Sequence, residues 1–92
     1  MSKHNDLHLY YFDSCRYCQT VLQWLSEHNL DIPKTNTMED MEAFNHLYTT
    51  TGRAQVPCLF IDGNPMHESD DIVEWLDKKN QNSELEHYKR TA

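Results

Sequence analysis

The sequence predicts a single α/β domain in which a mixed four-stranded sheet is flanked by three helices, in the order β-α-β-α-β-β-α. Its 92 residues leave room for one hydrophobic core and no second domain. Short apolar runs alternate with stretches whose apolar residues recur at helical spacing, which predicts helices that cross over between strands. The pair Asp62-Gly63 directly follows an apolar run and is a strong hairpin signal. The sheet is therefore expected to end in an antiparallel pair.

The first half of the chain predicts a strand, a helix and an extended segment. Residues 7–12 form an apolar, aromatic-rich run that is typical of a buried strand. Over residues 16–28 the apolar positions recur at helical spacing, which predicts an amphipathic helix. Pro33 lies beyond the end of that helix, and residues 32–36 are expected to be extended.

The second half predicts a helix, a hairpin and a last helix. Thr37 is expected to cap the second helix. The apolar stripe predicted for that helix consists of Met41, Phe44, Leu47 and Tyr48. Residues 57–61 predict a central strand, and residues 64–67 its antiparallel return. Ser69 is expected to cap the third helix, which carries acidic residues in its first turn. Its predicted inward-facing residues are Ile72, Val73 and Leu76.

The charge of the chain is strongly negative and unevenly distributed. The formal net charge is −7, which disfavours nucleic acid as a partner because phosphate backbones are repelled. Residues 1–77 carry four basic and thirteen acidic side chains, whereas residues 78–92 carry four basic and two acidic ones. We therefore expect a compact acidic body over residues 1–77 and a polar, basic, partly helical tail over residues 78–92.

The sequence also predicts where the protein works. No apolar run approaches the roughly 18 residues that a membrane span needs, and the N-terminus lacks the apolar stretch of a signal peptide. We expect a cytoplasmic protein without a membrane partner, and a monomer, since nothing demands a dimer. Three cysteines in a reducing compartment favour redox or metal chemistry over a structural disulfide framework.

The segment Cys15-Arg16-Tyr17-Cys18 is a C-x-x-C motif at the junction between the first strand and the first helix. Free backbone N–H groups at the start of a helix stabilise a thiolate, which favours Cys15 as the nucleophile. Cys18 lies on the same helical turn, close enough to attack a mixed disulfide on Cys15, and is expected to be more buried. These features assign the resolving role to Cys18.

Other interpretations of the C-x-x-C motif stay open on these residues alone. A structural zinc site needs four ligands, usually as two closely spaced pairs, and the chain has no second pair. Redox chemistry is therefore favoured over metal binding and over inert thiols, and no metal ligand is assigned. Cys58, in the predicted central strand, is either a small buried hydrophobe or a third thiol that can be oxidised or glutathionylated.

Two further segments make the pattern more specific. Gln55-Val56-Pro57 opens the predicted central strand, and Glu68-Ser69-Asp70-Asp71 opens the third helix. With the C-x-x-C motif, in this order, they make the chain resemble the glutaredoxins over roughly residues 7–77. In detail it is most similar to glutaredoxins that resemble the N-terminal domain of glutathione transferases. Residues 1–77 are therefore interpreted as a glutaredoxin-like domain.

The resemblance implies a thioredoxin-like fold and an activity. In that family the Val-Pro peptide is cis and lies opposite the cysteines, and the start of the last helix holds the γ-glutamyl end of glutathione. The implied function is a small dithiol glutaredoxin, a glutathione-dependent oxidoreductase that reduces protein disulfides and glutathione mixed disulfides. Its catalytic residues are Cys15 and Cys18, and its cofactor is glutathione. The residues implied to bind glutathione are Tyr17, Val56, Pro57, Glu68, Ser69 and Asp70. Its partners are glutathione and disulfide-containing or glutathionylated proteins.

The chain differs from the usual glutaredoxin pattern at a few positions. Arg16 replaces a proline, Phe12 stands where a basic residue is common, and His67-Glu68 replaces a pair of glycines. Loss of the proline keeps one alternative function open, a carrier of a [2Fe–2S] cluster ligated by Cys15 and glutathione from two chains. The other alternative is a thioredoxin-fold binding module whose cysteines are idle.

Overall fold

The computed structural model describes residues 6–90 and contains a four-stranded sheet with three α-helices. The strands are β1 (Leu7–Tyr11), β2 (Lys34–Asn36), β3 (Cys58–Ile61) and β4 (Asn64–Met66). The helices are α1 (Arg16–Glu27), α2 (Met41–Thr51) and α3 (Ser69–Gln81), followed by a short 3₁₀ helix over Glu86–Tyr88. The predicted element order is confirmed. Residues 1–5, on which the expectation of no signal peptide rests, lie outside the described residues.

The sheet is mixed, with the order β2-β1-β3-β4. β1 pairs in parallel with β2 and antiparallel with β3, so that Leu9 faces Leu59 across the central pair. Asp62 and Gly63 both have positive φ, 53° and 87°, as a type I′ turn requires. The hairpin between β3 and β4 therefore forms as the sequence predicts.

Alternation of side chains along the two central strands produces a core on each face of the sheet. On one face Leu9 and Leu59 are fully buried against α1 and α3. On the other face Tyr10 and Phe60 pack with α2. The second core also contains residues of the two cysteine-bearing segments, namely Cys15, Cys18, Val56 and Cys58. The cysteines are thus held by the packing that attaches α2 to the sheet.

The start and the buried face of α2 differ from the prediction. The cap is Asp40, whose carboxylate accepts a hydrogen bond from the Ala43 N–H at 3.1 Å, because Thr37 is buried and bonds to the Tyr11 carbonyl instead. Of the predicted stripe only Leu47 is buried, together with Ala43. The three remaining members are exposed, namely Met41, Phe44 and Tyr48.

The start of α3 also differs. Glu68 occupies the cap position with φ 72°, its side chain makes no cap hydrogen bond, and Ser69 is the first helical residue. The prediction that Ser69 caps the helix is therefore wrong by one position. A positive φ at Glu68 is a conformation that glycine adopts most easily.

The C-terminal segment is packed against the rest of the chain. The boundary expected after residue 77 falls inside α3, and Leu85 is fully buried in the core beside α1 and α3. The Tyr88 hydroxyl accepts a hydrogen bond from the Leu7 N–H at 3.0 Å, and the Tyr88 carbonyl accepts one from the Asp31 N–H at 2.8 Å. Leu30 and Lys89 form an antiparallel bridge. Within residues 6–90 no helix combines the length and apolar character needed to cross a membrane.

Candidate active site

Cys15 is the N-cap residue of α1. Its extended backbone (φ −86°, ψ 116°) ends the turn after β1, and its N–H donates to the Phe12 carbonyl at 3.3 Å. Its Sγ accepts a hydrogen bond from the Cys18 N–H at 3.1 Å. The sulfur therefore takes the position that a serine or aspartate oxygen holds in ordinary caps. An amide N–H and the positive end of the helix both favour negative charge on this sulfur.

The Cys15 sulfur also faces the segment before β3. Its thiol donates to the Val56 carbonyl oxygen, with a sulfur–oxygen distance of 3.7 Å. The Val56-Pro57 peptide bond is cis, as the resemblance implied. Cys15 is 8% exposed, so only a small part of the residue reaches solvent. The Cys15 sulfur thus lies beside Val56, largely shielded from solvent.

Cys18 is the more buried cysteine of the pair, with no exposed surface. Burial is the main cause that raises the pKa of its thiol to about 12, and its interactions with Cys15 act in the same direction. A hydrogen bond with the Phe12 backbone lowers the pKa but does not offset burial. Cys18 therefore stays a neutral thiol near pH 7. The predicted asymmetry in burial between the two cysteines is present in the structure.

A cleft of about 350 Å³ opens beside this cysteine pair. One wall comes from the exposed side of α1, and the other from the segment before β3 and the start of α3. Its lining residues are Tyr17, Thr20, Gln55, Val56, Pro57, Glu68, Ser69 and Asp70. The structure thus brings all the residues expected to bind glutathione into one cleft. Cys15 lies next to this cleft, because its sulfur contacts Val56, which lines the cleft.

Sequence reasoning missed two lining residues. Thr20 follows Tyr17 by three positions, which places both on the same side of α1. Gln55 directly precedes Val56 in the segment that the resemblance had already singled out. Helical spacing from Tyr17 could have identified Thr20, and membership of the segment Gln55-Val56-Pro57 could have identified Gln55.

The polar end of the cleft is the N-terminus of α3. The first backbone hydrogen bond of that helix runs from the Ile72 N–H to the Glu68 carbonyl at 3.0 Å, so the amides of the preceding helical residues have no partner within the helix. Ser69 is 8% exposed, while Asp70 and Glu68 are exposed. This end of the cleft therefore offers amide donors and a hydroxyl next to carboxylates.

His67 lies just before this helix and is half-buried. Its Nε2 is buried and has no hydrogen-bond partner among residues 6–90. Burial and then the Arg53 guanidinium lower the pKa of His67, against a smaller opposing effect of Glu68. The ring is consequently neutral near pH 7 and contributes no positive charge to the cleft.

Cys58 lies in β3 directly after the cis-proline and is fully buried. Burial raises the pKa of its thiol to about 11, although a hydrogen bond with the Met66 backbone acts in the opposite direction. The thiol is neutral near pH 7 and inaccessible in the folded protein. Its surroundings are those of a small buried hydrophobe.

The described part of the chain contains no group of three or more His, Cys, Asp or Glu side chains that could hold a metal ion. All three cysteines are free thiols. The chemistry that this arrangement supports is that of one helix-stabilised sulfur next to a second, protonated one. Such a pair can form and break a disulfide.

Fold and site together define a thioredoxin-fold protein with a cysteine pair at the start of its first helix. Residues 9–84 match the family described as "Glutathione S-transferase, N-terminal domain", and the chain belongs to that family. No curated protein sequence matches the chain significantly.

Solved structures with the same fold include both glutaredoxins and glutathione S-transferases. The holo form of glutaredoxin C1 from Populus tremula x tremuloides superposes with a TM-score of 0.65 at 23% identity, covering 90% of this chain and 85% of that one. A wheat glutaredoxin gives a TM-score of 0.67 at 17% identity, covering 94% and 84%. A glutathione S-transferase from the Antarctic clam Laternula elliptica gives 0.64 at 22% identity.

The two groups differ in how much of each relative the chain represents. The superposition on the clam transferase includes 80% of this chain but only 35% of the transferase. The superpositions on the two glutaredoxins include most of each glutaredoxin. The similarity to these solved structures shows a thioredoxin-like fold, which confirms the expected fold class. The match over residues 9–84 confirms the expected resemblance to the N-terminal domain of glutathione transferases.

Proposed function

We propose that this protein is a small dithiol glutaredoxin, a glutathione-dependent thiol–disulfide oxidoreductase that works on disulfide-containing and glutathionylated proteins in the cytoplasm. The observation that carries the proposal is the Cys15 sulfur, which accepts the Cys18 N–H at 3.1 Å and lies 3.7 Å from the carbonyl of the cleft residue Val56. A nucleophilic sulfur is thereby adjacent to a cleft large enough for a small peptide.

The cleft suits the γ-glutamyl and cysteinyl parts of glutathione. The γ-glutamyl end carries an α-carboxylate, which matches the free amides at the start of α3 and the Ser69 hydroxyl. The same end carries an ammonium group, for which the exposed carboxylate of Asp70 or Glu68 is the complement. The cysteinyl part of glutathione can pair with the Val56 backbone in the manner of an added strand. Tyr17 and Pro57 supply apolar contact along the cleft.

The proposed reaction begins at Cys15. Its thiolate attacks the glutathione sulfur of a glutathionylated protein, a new sulfur–sulfur bond forms, and the protein thiolate leaves and takes up a proton. Cys15 then holds glutathione in a mixed disulfide. A second glutathione thiolate attacks that sulfur, releases oxidised glutathione and restores the Cys15 thiolate. Oxidised glutathione is reduced elsewhere at the expense of NADPH.

Cys18 supplies the second route that protein disulfides require. Attack of Cys15 on a protein disulfide leaves the protein attached to Cys15, and the Cys18 sulfur can displace it by forming the Cys15–Cys18 disulfide. The proton on Cys18 must be lost first, and its high pKa keeps the thiol unreactive until then. Glutathione reduces the internal disulfide afterwards.

The test is turnover of a glutathione mixed disulfide by the purified protein, coupled through glutathione reductase to NADPH consumption. We expect turnover that depends on both protein and glutathione and is absent in Cys15→Ser. No turnover by the unmodified protein would contradict the proposal. A brown, iron-containing protein after anaerobic purification would then support the cluster carrier, and a colourless one the binding module.

A further inference from the structure

A second opening lies outside the cleft, in front of α2. Met38 and Met41 are 74% and 75% exposed, and Phe44 is 38% exposed. With Thr37 and Glu39 they line a groove of about 390 Å³. α2 attaches to the sheet through other residues, so packing of the fold does not explain why these three large apolar side chains are gathered together. Such a patch on a small protein indicates a contact surface.

The groove lies at the same edge of the sheet as the cysteine pair. β1 and β2 are parallel, so the segments that follow them, one with Cys15 and one with the groove, both leave from this edge. The two segments are joined directly: the Thr37 N–H donates to the Tyr11 carbonyl at 2.8 Å, and the Asn36 amide donates to the Asp13 carboxylate at 3.3 Å.

The strand order places the groove and the cleft on opposite sides of Cys15. Cys15 follows the inner strand β1, and the groove lies on the β2 side. The cleft wall that faces α1 is built by the segments before β3 and after β4. A substrate held at Cys15 with its glutathione part in the cleft can extend from Cys15 toward the groove.

The rim of the groove is acidic. Residues 35–52 contain three Asp or Glu side chains and no Lys or Arg. Of the three exposed carboxylates that we call the rim, Glu39 lines the groove, Glu42 lies in the first turn of α2, and Asp13 accepts a hydrogen bond from the Asn36 amide. Across the described chain, ion pairs join Lys34 to Asp31 and Lys79 to Glu84, so no carboxylate of the rim has a cationic partner. Such a rim attracts basic groups and repels nucleic acid and anionic lipid.

We propose that this groove docks the protein substrate, a polypeptide with an apolar side chain and neighbouring Lys or Arg residues close to its glutathionylated or disulfide-bonded cysteine. This proposal rests on the proposed function and names the substrate class for the same site. Flexible, polarisable methionine side chains adapt to differently shaped apolar residues, which suits a surface that accepts more than one protein.

The experiment compares two glutathionylated substrates. One is a short synthetic peptide with leucine and lysine residues on both sides of its glutathionylated cysteine, and the other is the mixed disulfide of free cysteine and glutathione. Binding is measured separately, by fluorescence anisotropy of the same peptide with serine in place of the cysteine. The binding measurement does not depend on redox activity, so failure of the docking surface and failure of the proposed function give different results.

The variants are Met38→Gln combined with Met41→Gln, and Glu39→Lys. Their matched controls are Tyr48→Gln, which removes an exposed apolar side chain from α2 outside the groove, and Glu74→Lys, which makes the same charge change on the exposed side of α3. None of these residues lines the cleft or contacts the cysteines.

We expect each groove variant to lower kcat/KM for the peptide, and to weaken its binding, by about fivefold or more, while the control variants stay within about twofold of the parent. Turnover of the small mixed disulfide should not change. Equal effects of groove and control variants on peptide binding would overturn the docking surface. Conversion of a dimer to a monomer by the methionine variant, measured by sedimentation, would overturn it in favour of contact with a second copy. Peptide binding that needs the groove in a protein without turnover would uphold the surface and contradict the proposed function.

Discussion

The backbone N–H of Cys18 points at the sulfur of Cys15 and donates a hydrogen bond to it at 3.1 Å. The same residue thus plays two parts, because its amide stabilises negative charge on the neighbouring sulfur while its own thiol is buried and protonated. The division of roles between the cysteines follows from this single turn of helix. In the proposed reaction the Cys15 sulfur attacks first, and the Cys18 sulfur acts once Cys15 is in a disulfide.

The first prediction separates the two cysteines by substrate. Cys18→Ser keeps the amide that stabilises the Cys15 sulfur, so it should retain turnover of glutathione mixed disulfides. It should lose reduction of protein disulfides, which need a second thiol. Cys15→Ser should lose both activities. Coupled assays on a glutathionylated peptide and on a protein disulfide measure the two activities, and equal losses in both variants would contradict the assigned roles.

The second prediction concerns the start of α3. Asp70→Ala should raise KM for a glutathionylated substrate by about tenfold or more, since a hydrogen bond to a charged group is worth about 1.5–3 kcal/mol. The effect on kcat should be much smaller. Asp71→Ala is the matched control, because Asp71 is an exposed acid in the same helical turn that does not line the cleft.

Each of these two variants also removes a favourable charge near the helix N-terminus, worth about 0.3–1 kcal/mol, so their melting temperatures should fall alike. Reduction of a small disulfide without a γ-glutamyl group should be unaffected in both. Equal KM values for the glutathionylated substrate in the two variants would show that Asp70 acts only on the helix.

The third prediction is a pH dependence of stability that arises from Cys58. Burial raises the pKa of this thiol from its usual 9.0 to about 11. Between these values the unfolded chain loses the proton and the folded protein keeps it, so the free energy of unfolding falls as the pH rises, by up to about 1.4 kcal/mol per pH unit. Below this range Cys58 contributes no pH dependence.

Cys58→Ala should make that decline shallower, whatever its effect on stability at neutral pH. Urea unfolding of the parent and the variant at several pH values between 9.0 and about 11 measures the difference in slope. Parallel curves for parent and variant would mean that the thiol ionises as readily in the folded protein as in the unfolded chain.

The fourth prediction tests the C-terminal segment. Tyr88→Phe removes the acceptor of the Leu7 N–H, and Leu7 is only 3% exposed, so its amide loses its partner in a largely buried position. The expected cost in the free energy of unfolding is about 1–3 kcal/mol. Tyr48→Phe removes a hydroxyl from a side chain that is 54% exposed and should change stability little. Similar values for the two variants in urea unfolding would contradict the role given to Tyr88.

Local sequence signals predicted the elements well but not their caps. The hairpin followed from Asp62-Gly63, because few other residue pairs accept positive φ at both positions. At α2, Thr37 and Asp40 are both good capping residues, and the choice of Asp40 depends on the bond of Thr37 to Tyr11 in another strand. A contact between distant segments of this kind has no signature in the local sequence.

The buried residues of α2 and of the C-terminal segment also depend on contacts that the local sequence does not reveal. The apolar spacing of Met41, Phe44 and Tyr48 suits a buried helix face, yet the sheet beneath α2 accommodates only Ala43 and Leu47. Which positions are covered depends on how α2 is placed over the sheet. Likewise the single leucine at position 85 reaches the core only because the chain turns back after α3.

The candidate cleft was more predictable than the packing around it. Its residues come from three short segments that are each distinctive in sequence, and each segment begins or precedes a regular element. Thr20 lies one helical turn after Tyr17 in α1, so its place in the cleft follows from helical spacing. The exposed groove at Met38 could not be predicted, since nothing in an apolar pattern tells which apolar residues remain uncovered.

The most direct test of the account is to trap the intermediate on Cys15. Cys18→Ser is incubated with oxidised glutathione, and the site of modification is mapped by mass spectrometry of the intact chain and its peptides. We expect a single glutathionyl group, attached to Cys15, and its removal by reduced glutathione. An unmodified chain, or a glutathionyl group on Cys58, would contradict the assignment of Cys15 as the nucleophile beside a glutathione cleft.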